Sequence, residues 1–366
     1  QRDMAEIIRL KGMGFFNGAL VSVSGVEISP DLSVAKVYVS VFPSSKAETV
    51  MKTLGTETKA LRGELGNRAG FVVAPFNITD STPLLLIPQP YGGNGLTTLP
   101  VPQENGEMAM VATDEHGDKT SYLRDFGLFH DSVADGSFIK LVLSRTKCVA
   151  LADKPDIDRL FFHLCHAYPR AMVMMFSTPQ TGTWLVASPE ILVETQQSNL
   201  CTIALAGTMT FHEGLPCWSE KNRHEQHIVE QYIENTIAPL CCRMIKDGPR
   251  TVRAGRLMHL RTDFHFKMCE GITIGDVVER LHPTPAVCGM PKAEAREFIL
   301  RNESNDRRYY SGFAGPLGLG GETHLFVTLR CMNIDGNRLT VYAGGGIMPD
   351  SQAEEEWRET ELKMIW

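Results

Sequence analysis

Three consecutive glycines near the C-terminus constrain the fold of this chain, because they end an apolar strand and are followed by an acidic helix. The strand covers 339–343, the glycines are 344–346, and the helix carries Glu356, Glu359 and Lys363. Glycine allows close approach to the backbone, so these N–H groups can point at an anion. The three charged residues share one helix face. The pattern predicts an acidic ligand held through a divalent metal with oxygen ligands, or else a glycine turn before a solvated helix.

Composition narrows the class of protein. The 366 residues are 43% hydrophobic and 22% charged, as in a globular protein of one large or two modest domains. A net charge of −7 argues against general affinity for nucleic acid. No apolar run approaches the roughly 18 residues of a membrane span, and no secretory leader pattern opens the chain, so we expect no membrane partner. Nine cysteines without a CxxC pair favour a reducing cytoplasm over disulfides or a zinc cluster.

Residues 1–69 are expected to form a small α/β unit, with strands at 20–28 and 35–41 and a helix at 46–68. The strings VSVSGVEISPDLSVAKVYVSVFPS and KALRGELGNR resemble ribosome-binding factor A, a family of KH-like RNA-binding proteins. The family's domain continues into a kinked helix and a last strand, whereas the resemblance here ends at about Arg68. It therefore implies a truncated KH-like segment.

The truncation argues against RNA binding by this segment. A two-stranded unit without its third strand leaves an edge unpaired and a core half covered. Residues 1–69 hold nine Lys and Arg against seven Asp and Glu, a weak electrostatic footprint for RNA. We favour a fused fragment with little independent stability. RNA or ribosome binding through residues 1–68, and a chimaeric chain with no dual role, are the alternatives.

Residues 70–366 form a second block, in which strands alternate with helices. Apolar strands at 71–76 and 84–88 precede a loop rich in Pro, Gly and Asn and a polar linker with a short helix at 123–133. Further strands are predicted at 139–143, 171–176, 183–186, 200–206, 252–259, 325–334 and 339–343, and helices at 156–165, 219–246, 274–281 and 292–302. The helix 219–246 would place Cys241 and Cys242 in the core. Many separated strands with interspersed helices predict an α+β fold of mainly antiparallel sheets.

Three residues of this block are candidates for chemistry. Glu225 shares the apolar stripe of its helix, so its carboxylate must be paired, protonated or bound to metal. Lys140 lies between apolar residues of a strand. The side chain of such a lysine usually faces solvent, but if it faces inward, burial lowers its pKa and makes it a candidate general base. Glu190 follows a strand end, and burial would make it a general acid rather than an ordinary loop carboxylate. In HEQH the histidines are three apart, so the zinc motif HExxH is not matched.

Ten strings carry a second resemblance. In chain order they are KLVLSR, VASPEILV, LAGT, EKNRHEQHIV, HLRT, LHPTPAVCGMP, DRRYYSGFAGPLG, VTLRCMNI, YAGGGI and EWRETELK. Together they resemble isochorismate synthase, of the chorismate-utilising enzyme family, over about residues 70–366. That resemblance implies an α/β sandwich of large antiparallel sheets with outer helices and a site between the sheets. It makes 70–366 a chorismate-binding catalytic domain.

The resemblance also implies a reaction and its residues. Isochorismate synthase adds water at C2 of chorismate while the C4 hydroxyl leaves, with Mg²⁺ on the ring carboxylate. Lys140 matches the base that activates water, and Glu190 the acid that protonates the departing hydroxyl. The Mg²⁺ ligands correspond to Glu225 and Glu359, with Glu356 as a direct or water-mediated partner. Positions around the substrate correspond to Gly207, Thr208, His259, Ala286, Arg330, Gly344, Gly345 and Lys363. Arg330 and Lys363 suit the enolpyruvyl carboxylate.

Single residues separate reactions within the family. Aminodeoxychorismate synthases carry a nucleophilic lysine in place of Ala206, and anthranilate synthases lack a lysine at the place of Lys140. Salicylate synthases share Lys140 and then eliminate pyruvate, which makes them the alternative, although LHPTPA fits isochorismate synthase better. Asn222 stands where some members have an acid near the metal. The family's usual N-terminal sequence is replaced by residues 1–69. The product could feed menaquinone, siderophore or salicylate synthesis.

Overall fold

Two antiparallel sheets pack face to face in this chain, with helices on both outer surfaces. The computed structural model describes residues 20–28, 35–42, 69–88, 113–115, 119–196, 199–211, 216–254 and 257–365, and for 20–28, 35–42 and 113–115 it describes the backbone alone. The α+β sandwich of large antiparallel sheets expected from the sequence is confirmed.

The first sheet has eight strands within the described residues. Their spatial order is β11 (Cys241–Ala254), β12 (Leu257–Met268), β10 (Asn199–Thr210), β9 (Ile191–Gln196), β15 (His324–Val327), β14 (Phe313–Leu317), β3 (Gly70–Ala74) and β4 (Leu85–Pro88). β11 and β12 form a long hairpin at one edge. β3 pairs with β14, so the sandwich includes the chain from Gly70 onward.

The second sheet has seven strands in the described part of the chain. The order is β13 (Gly289–Met290), β6 (Lys140–Ala150), β17 (Arg338–Ile347), β16 (Cys331–Asp335), β8 (Gly182–Ser188) and β7 (Met172–Thr178), and β5 (Thr113–Glu115) also pairs with β6. β6 and β17 pair along their whole lengths, with Gly345 opposite Leu143 and Gly346 opposite Val142. This register places the glycine run beside the start of β6, which is Lys140.

Apolar side chains from the inner faces of both sheets fill the space between them. Val73 and Ile203 come from the eight-stranded sheet, and Trp184 and Tyr342 from the seven-stranded sheet. Trp184 is completely buried, and its indole N–H donates to the carbonyl of Thr181 at 2.9 Å. The buried polar atom is therefore satisfied, as stable cores require.

Six α-helices of the described residues cover the outer faces. They are α1 (Lys119–Ala134), α2 (Ile157–Ala167), α3 (Glu220–Ile237), α4 (Ile274–Leu281), α5 (Lys292–Asn302) and α6 (Ala353–Lys363). α3 and α4 pack on the eight-stranded sheet, and α1, α2 and α5 on the seven-stranded sheet. None of these helices is both long and apolar enough to span a membrane.

Two elements predicted as continuous are interrupted, so those predictions are wrong. The helix expected at 219–246 ends at Ile237, and β11 starts at Cys241 after a short 3₁₀ turn. Pro239 in that turn explains the stop, because proline lacks an N–H and restricts the residue before it. Cys242 is consequently exposed rather than in the core. The strand expected at 325–334 divides into β15 and β16, which belong to different sheets.

The N-terminal segment contains a two-stranded antiparallel hairpin. β1 (Leu20–Ile28) pairs with β2 (Ala35–Phe42), with an irregularity between Val23 and Gly25. Both predicted strands are present. The predicted helix at 46–68 lies outside the described residues.

Candidate active site

A cavity of about 80 Å³ is lined by residues of both sheets, and most of the site residues expected from the sequence border it. These are Glu190, Gly207, Thr208, Glu225, His259, Ala286, Arg330, Gly344, Gly345 and Lys363. Lys140, Glu356 and Glu359 lie directly behind this lining, since Lys140 pairs with Glu225 and Glu359 with Lys363. Residues far apart in the chain are thus brought to one place.

Lys140 points into the protein rather than to solvent. It is the first residue of β6, its side chain is completely buried, and its Nζ lies 2.7 Å from Oε1 of Glu225 on α3. The contact is an ion pair outside hydrogen-bond geometry, and no described residue accepts a hydrogen bond from this Nζ. Burial tends to raise the pKa of Glu225, but Lys140, helped by Lys363 and Lys221, outweighs burial and lowers it. The amine therefore has hydrogen-bonding capacity left for a ligand or water.

Glu190 is a buried carboxyl on the cavity wall. It lies between β8 and β9 and is 2% exposed, and its backbone N–H donates to Oγ of Ser188 at 3.2 Å. Burial raises its pKa to about 8, although the nearby Lys140 acts to lower it. Glu190 is consequently protonated at neutral pH, which is the form that a general acid needs.

Three carboxylates lie behind the glycine run, each paired with a lysine. Besides Lys140 with Glu225, Lys363 Nζ lies 2.7 Å from Glu359 Oε1, and Lys221 Nζ contacts Glu356 Oε1. Burial raises the pKa of Glu356, and the negative charge of Glu359 raises it further. With these lysines in place, the oxygens of the three glutamates do not all lie within 4.8 Å of one another.

The glycines of β17 leave room for these carboxylates. A Cβ at Gly345 would lie 3.2 Å from Oε2 of Glu356. At Gly346 it would overlap the Glu225 carboxylate and lie 2.7 Å from Cε of Lys140. The close approach predicted for the glycine run is therefore present, and the anions that it accommodates here are the chain's own glutamates.

His259 and Arg330 form a buried pair at the other wall. His259 Nδ1 lies 3.0 Å from the carbonyl of Gly207, and its Nε2 lies 3.2 Å from Nη2 of Arg330. Burial lowers the pKa of His259 to about 3, and Arg330 and Lys363 add to the effect. The ring is therefore neutral, donating from Nδ1 to Gly207 and accepting from Arg330 at Nε2.

Arg330 is a buried cation without a carboxylate partner among the described residues. It is 8% exposed and forms no ion pair within this part of the chain. Burial lowers its pKa, as expected when a charge is taken out of water. Its φ of 43° is unusual for a residue with a side chain. A buried, unbalanced guanidinium in a strained backbone is an arrangement suited to an anionic ligand.

Gly207 creates the shape of the wall beside His259. The β10–β12 register shifts between Ala206 and Thr208, so Gly207 is the extra residue of a bulge and has φ of 68°. Asn222 supports this bulge, since its Nδ2 donates to the carbonyl of Thr208 at 3.4 Å. Asn222 thus stabilises the backbone in the place where some relatives are expected to have an acid.

Sequence reasoning missed two polar residues of the site. Lys221 contacts Glu356, and the hydroxyl of Tyr310 would lie 2.7 Å from a Cβ at Gly344. Lys221 could have been found, because it precedes Glu225 by four residues and so shares its helix face. Tyr310 lies within the string DRRYYSG, but no local pattern distinguishes it from a core tyrosine.

Family models identify two parts of the chain. The model described as chorismate binding enzyme matches residues 96–365, and the chain therefore belongs to the chorismate binding enzyme family. A model described as ribosome-binding factor A matches residues 1–76, in agreement with the resemblance seen in the N-terminal strings. The second match reaches past the first strand of the sandwich, β3.

Named relatives are isochorismate synthases. Isochorismate synthase DhbC of Bacillus subtilis is 30% identical over 249 residues, which are 63% of this chain and 62% of that protein. A vibriobactin-specific isochorismate synthase of Vibrio cholerae is 25% identical over 90% of this chain and 86% of its own length. The chain spans between 51% and 62% of the first curated relatives that it matches.

Solved structures share the fold. A putative 2,3-dihydroxybenzoate-specific isochorismate synthase, DhbC from Bacillus anthracis, superimposes with a TM-score of 0.68 at 24% identity, over 94% of this chain and 91% of that one. MenF, the menaquinone-specific isochorismate synthase from Escherichia coli, gives 0.62 at 27% identity, over 71% and 63%.

Proposed function

We propose that residues 70–366 form an isochorismate synthase, which converts chorismate to isochorismate by adding water at C2 as the C4 hydroxyl leaves. One observation carries the proposal: the cavity has a neutral, buried carboxyl at Glu190 and the buried amine of Lys140 in its immediate surroundings. An acid and a base held at one small cavity suit the exchange of a hydroxyl for water. The names of the relatives support the same reaction.

The two groups take opposite roles. Glu190 is protonated and gives its proton to the departing C4 oxygen, which then leaves as water. Lys140 is cationic in its ion pair with Glu225, so it first passes a proton to solvent, and the free amine then takes a proton from the water that attacks C2. The ion pair with Glu225 fixes the position of the amine, and Nζ has no hydrogen-bond partner among the described residues, so a water molecule can approach it. Ala206 provides no nucleophile for a covalent intermediate.

Charge complementarity favours a dianionic substrate. Arg330 has no carboxylate partner among the described residues, and Lys363 lies on the same cavity. We assign both to the enolpyruvyl carboxylate, because Arg can bind a carboxylate through two parallel hydrogen bonds. Gly207, Thr208, His259, Ala286, Gly344 and Gly345 would surround the rest of the molecule.

Mg²⁺ is the proposed cofactor, and the carboxylates present fit it by their chemistry, although they must give up their lysine partners and approach one another to hold it. Glu225 and Glu359 are assigned as ligands, with Glu356 bound directly or through water. Oxygen donors alone suit a hard divalent cation, and burial, with the nearby charge of Glu359 adding to it, raises the pKa of Glu356. When bound, Mg²⁺ would neutralise the ring carboxylate of chorismate. Lys140, Lys221 and Lys363 supply the positive charge in the arrangement described here.

The test is turnover of chorismate by the full chain with and without Mg²⁺, followed by chromatography of the products. Isochorismate formed only with Mg²⁺ is expected. Salicylate together with pyruvate would instead identify the alternative, a salicylate synthase. No consumption of chorismate under either condition would overturn both.

We propose a boundary near residue 69 between this domain and the N-terminal segment. The pairing of β3 with β14 supports it, since Gly70 already belongs to the sandwich. The balance of nine basic and seven acidic residues in 1–69 supports the absence of RNA binding. Co-sedimentation of the full chain with small ribosomal subunits at moderate salt is expected to be negative, and a stoichiometric complex would contradict this.

A further inference from the structure

We propose that Cys201, Asp263 and His265 form a second metal site, distinct from the glutamate cluster, for a zinc-type divalent cation. A ligand atom from each of the three side chains lies within 4.8 Å of the other two. Within the described residues this is the single group of three or more His, Cys, Asp or Glu that is so close. The inference does not depend on the proposed enzymatic activity.

The sheet itself brings the three residues together. Cys201 on β10 is directly opposite His265 on β12, and Asp263 is two residues from His265 on the same strand. Residues two apart project from one face of a sheet, and directly opposed residues have Cβ atoms about 4.5–5.5 Å apart. The site is therefore built on two neighbouring strands rather than on loops, which favours fixed ligand geometry.

The donor atoms indicate which metal would bind. Sulfur, nitrogen and carboxylate oxygen together suit zinc, which binds them at about 2.0–2.3 Å, with a small approach of the side chains. Mg²⁺ prefers oxygen ligands and would select the glutamates instead. Cys201 is completely buried and Asp263 is 4% exposed, whereas His265 is only partly buried. Because His265 is the most exposed of the three, the ion would enter from its side.

Asp263 is held in its ionised form by two arginines. Arg261 donates to it from Nε at 3.1 Å and from Nη2 at 2.6 Å, and Arg250 also contacts it. Together they outweigh burial and lower its pKa. Oδ1 accepts from Arg261 and Oδ2 from both Arg250 and Arg261, so a bound metal would take one of these oxygens in place of an arginine N–H.

Cys201 must lose its proton when the metal binds. Burial, with Asp263 adding to it, raises the pKa of its thiol to about 12. Binding therefore forms the metal–sulfur bond, breaks the S–H bond and releases one proton to solvent, so that affinity rises with pH. Glu194 is the strand partner of Cys201 on its other side, but its carboxylate pairs with His324, so water would complete the coordination.

The test is titration of the chelator-treated full chain with Zn²⁺, and with Co²⁺ as a coloured substitute. One equivalent is expected to bind, and Co²⁺ should give a sulfur-to-metal charge-transfer band. Cys201→Ser should abolish the band. His265→Ala should weaken binding tenfold or more, because one of three protein ligands is lost. Cys242→Ser, which removes an exposed cysteine elsewhere, should change neither result.

Three outcomes would overturn the site. They are the absence of one-to-one binding, a charge-transfer band that survives Cys201→Ser, and a band that disappears equally with Cys242→Ser. His265→Ala is also expected to keep its Mg²⁺-dependent chorismate turnover and its circular dichroism spectrum. His265 makes no hydrogen bond to the other described residues, so its loss should not disturb folding. Failure of the zinc site and failure of the proposed synthase activity are therefore distinguishable.

Discussion

Lys140 and Glu225 lie 2.7 Å apart, although Lys140 begins strand β6 and Glu225 is on the outer helix α3. The lysine is completely buried, and the glutamate side chain is 13% exposed. Removing one partner of such a pair leaves the other as an uncompensated charge, which costs about 3–5 kcal/mol. The pair therefore joins the helix to the strand and positions the amine that we assign as the base.

Replacing Lys140 should remove turnover. For Lys140→Ala and Lys140→Met we expect kcat to fall by about 10²–10⁴, the usual contribution of a general base. Both variants should also lose stability, since Glu225 is left unpaired. Lys147→Met on the same strand is the control, as its partly exposed side chain pairs with Glu361 away from the cavity. Turnover by folded Lys140→Met equal to that of the unchanged chain would remove lysine from the mechanism.

The activity should fall at alkaline pH. Glu190 has a pKa of about 8, so its acid form predominates below that pH and is lost above it. We expect kcat to drop about tenfold per pH unit beyond this point. Glu190→Gln should lower kcat and remove this alkaline fall in kcat. Initial rates between pH 6 and 10, roughly two units on either side of the pKa, measure it. Glu297→Gln, an exposed position on α5, should leave the profile unchanged. An alkaline fall that persists in Glu190→Gln would assign the titration to another group.

The raised pKa of Glu190 also has a consequence for stability. A carboxyl whose pKa is higher in the folded state stabilises the folded chain at low pH, and this contribution is lost as pH rises through about 8. The free energy of unfolding of Glu190→Gln should therefore decline less between pH 5 and about 8 than that of the unchanged chain. Urea unfolding at several pH values measures it.

Arg330→Ala should weaken substrate binding more than it slows chemistry. Loss of a charged hydrogen-bonding partner for a carboxylate costs about 2 kcal/mol or more, which corresponds to a rise in KM of about thirtyfold. The backbone strain at φ of 43° is not relieved by this change, because alanine carries a Cβ as arginine does. Arg338→Ala, at the exposed start of β17, is the matched control. A KM unaltered by Arg330→Ala would contradict the assignment.

Two glycine variants should have opposite effects on stability. In Gly346→Ala the new Cβ would overlap Glu225 and approach Lys140, so we expect loss of activity and a lower melting temperature. Gly127 lies within α1 with nothing within 4 Å of the added Cβ. Gly127→Ala should stabilise the chain by about 0.5–1 kcal/mol, because alanine is the better helix former. Differential scanning calorimetry compares the two, and equal melting temperatures would disprove the packing argument.

The sequence predicted the class of fold because the sandwich is built from local periodicity. Helices such as α4 and α5 combine an apolar stripe with clear ends, and the Thr273 capping box marks the start of α4. The orientation of Lys140 could not be predicted in the same way. β6 is buried on both faces around its start, so the alternation that normally separates inside from outside is absent there.

The cluster of Cys201, Asp263 and His265 on β10 and β12 could not be predicted from the sequence, for a different reason. Cys201 and His265 meet only because two strands pair in one register, and nothing local to either residue reports that pairing. The division of the strand predicted at 325–334 into β15 and β16 could not be predicted either, since apolar residues continue on both sides of Arg330. His224 and His227 of the string HEQH are both exposed.

The change of sheet between β15 and β16 puts Arg330 at a corner of the sandwich. Because Arg330 lies between a strand of one sheet and a strand of the other, the position of its guanidinium relative to the cavity depends on the distance between the two sheets. That distance is set by large rings such as Trp184 and Tyr309, which are completely buried between them. A smaller ring at either position is therefore expected to move the guanidinium relative to the cavity that it lines.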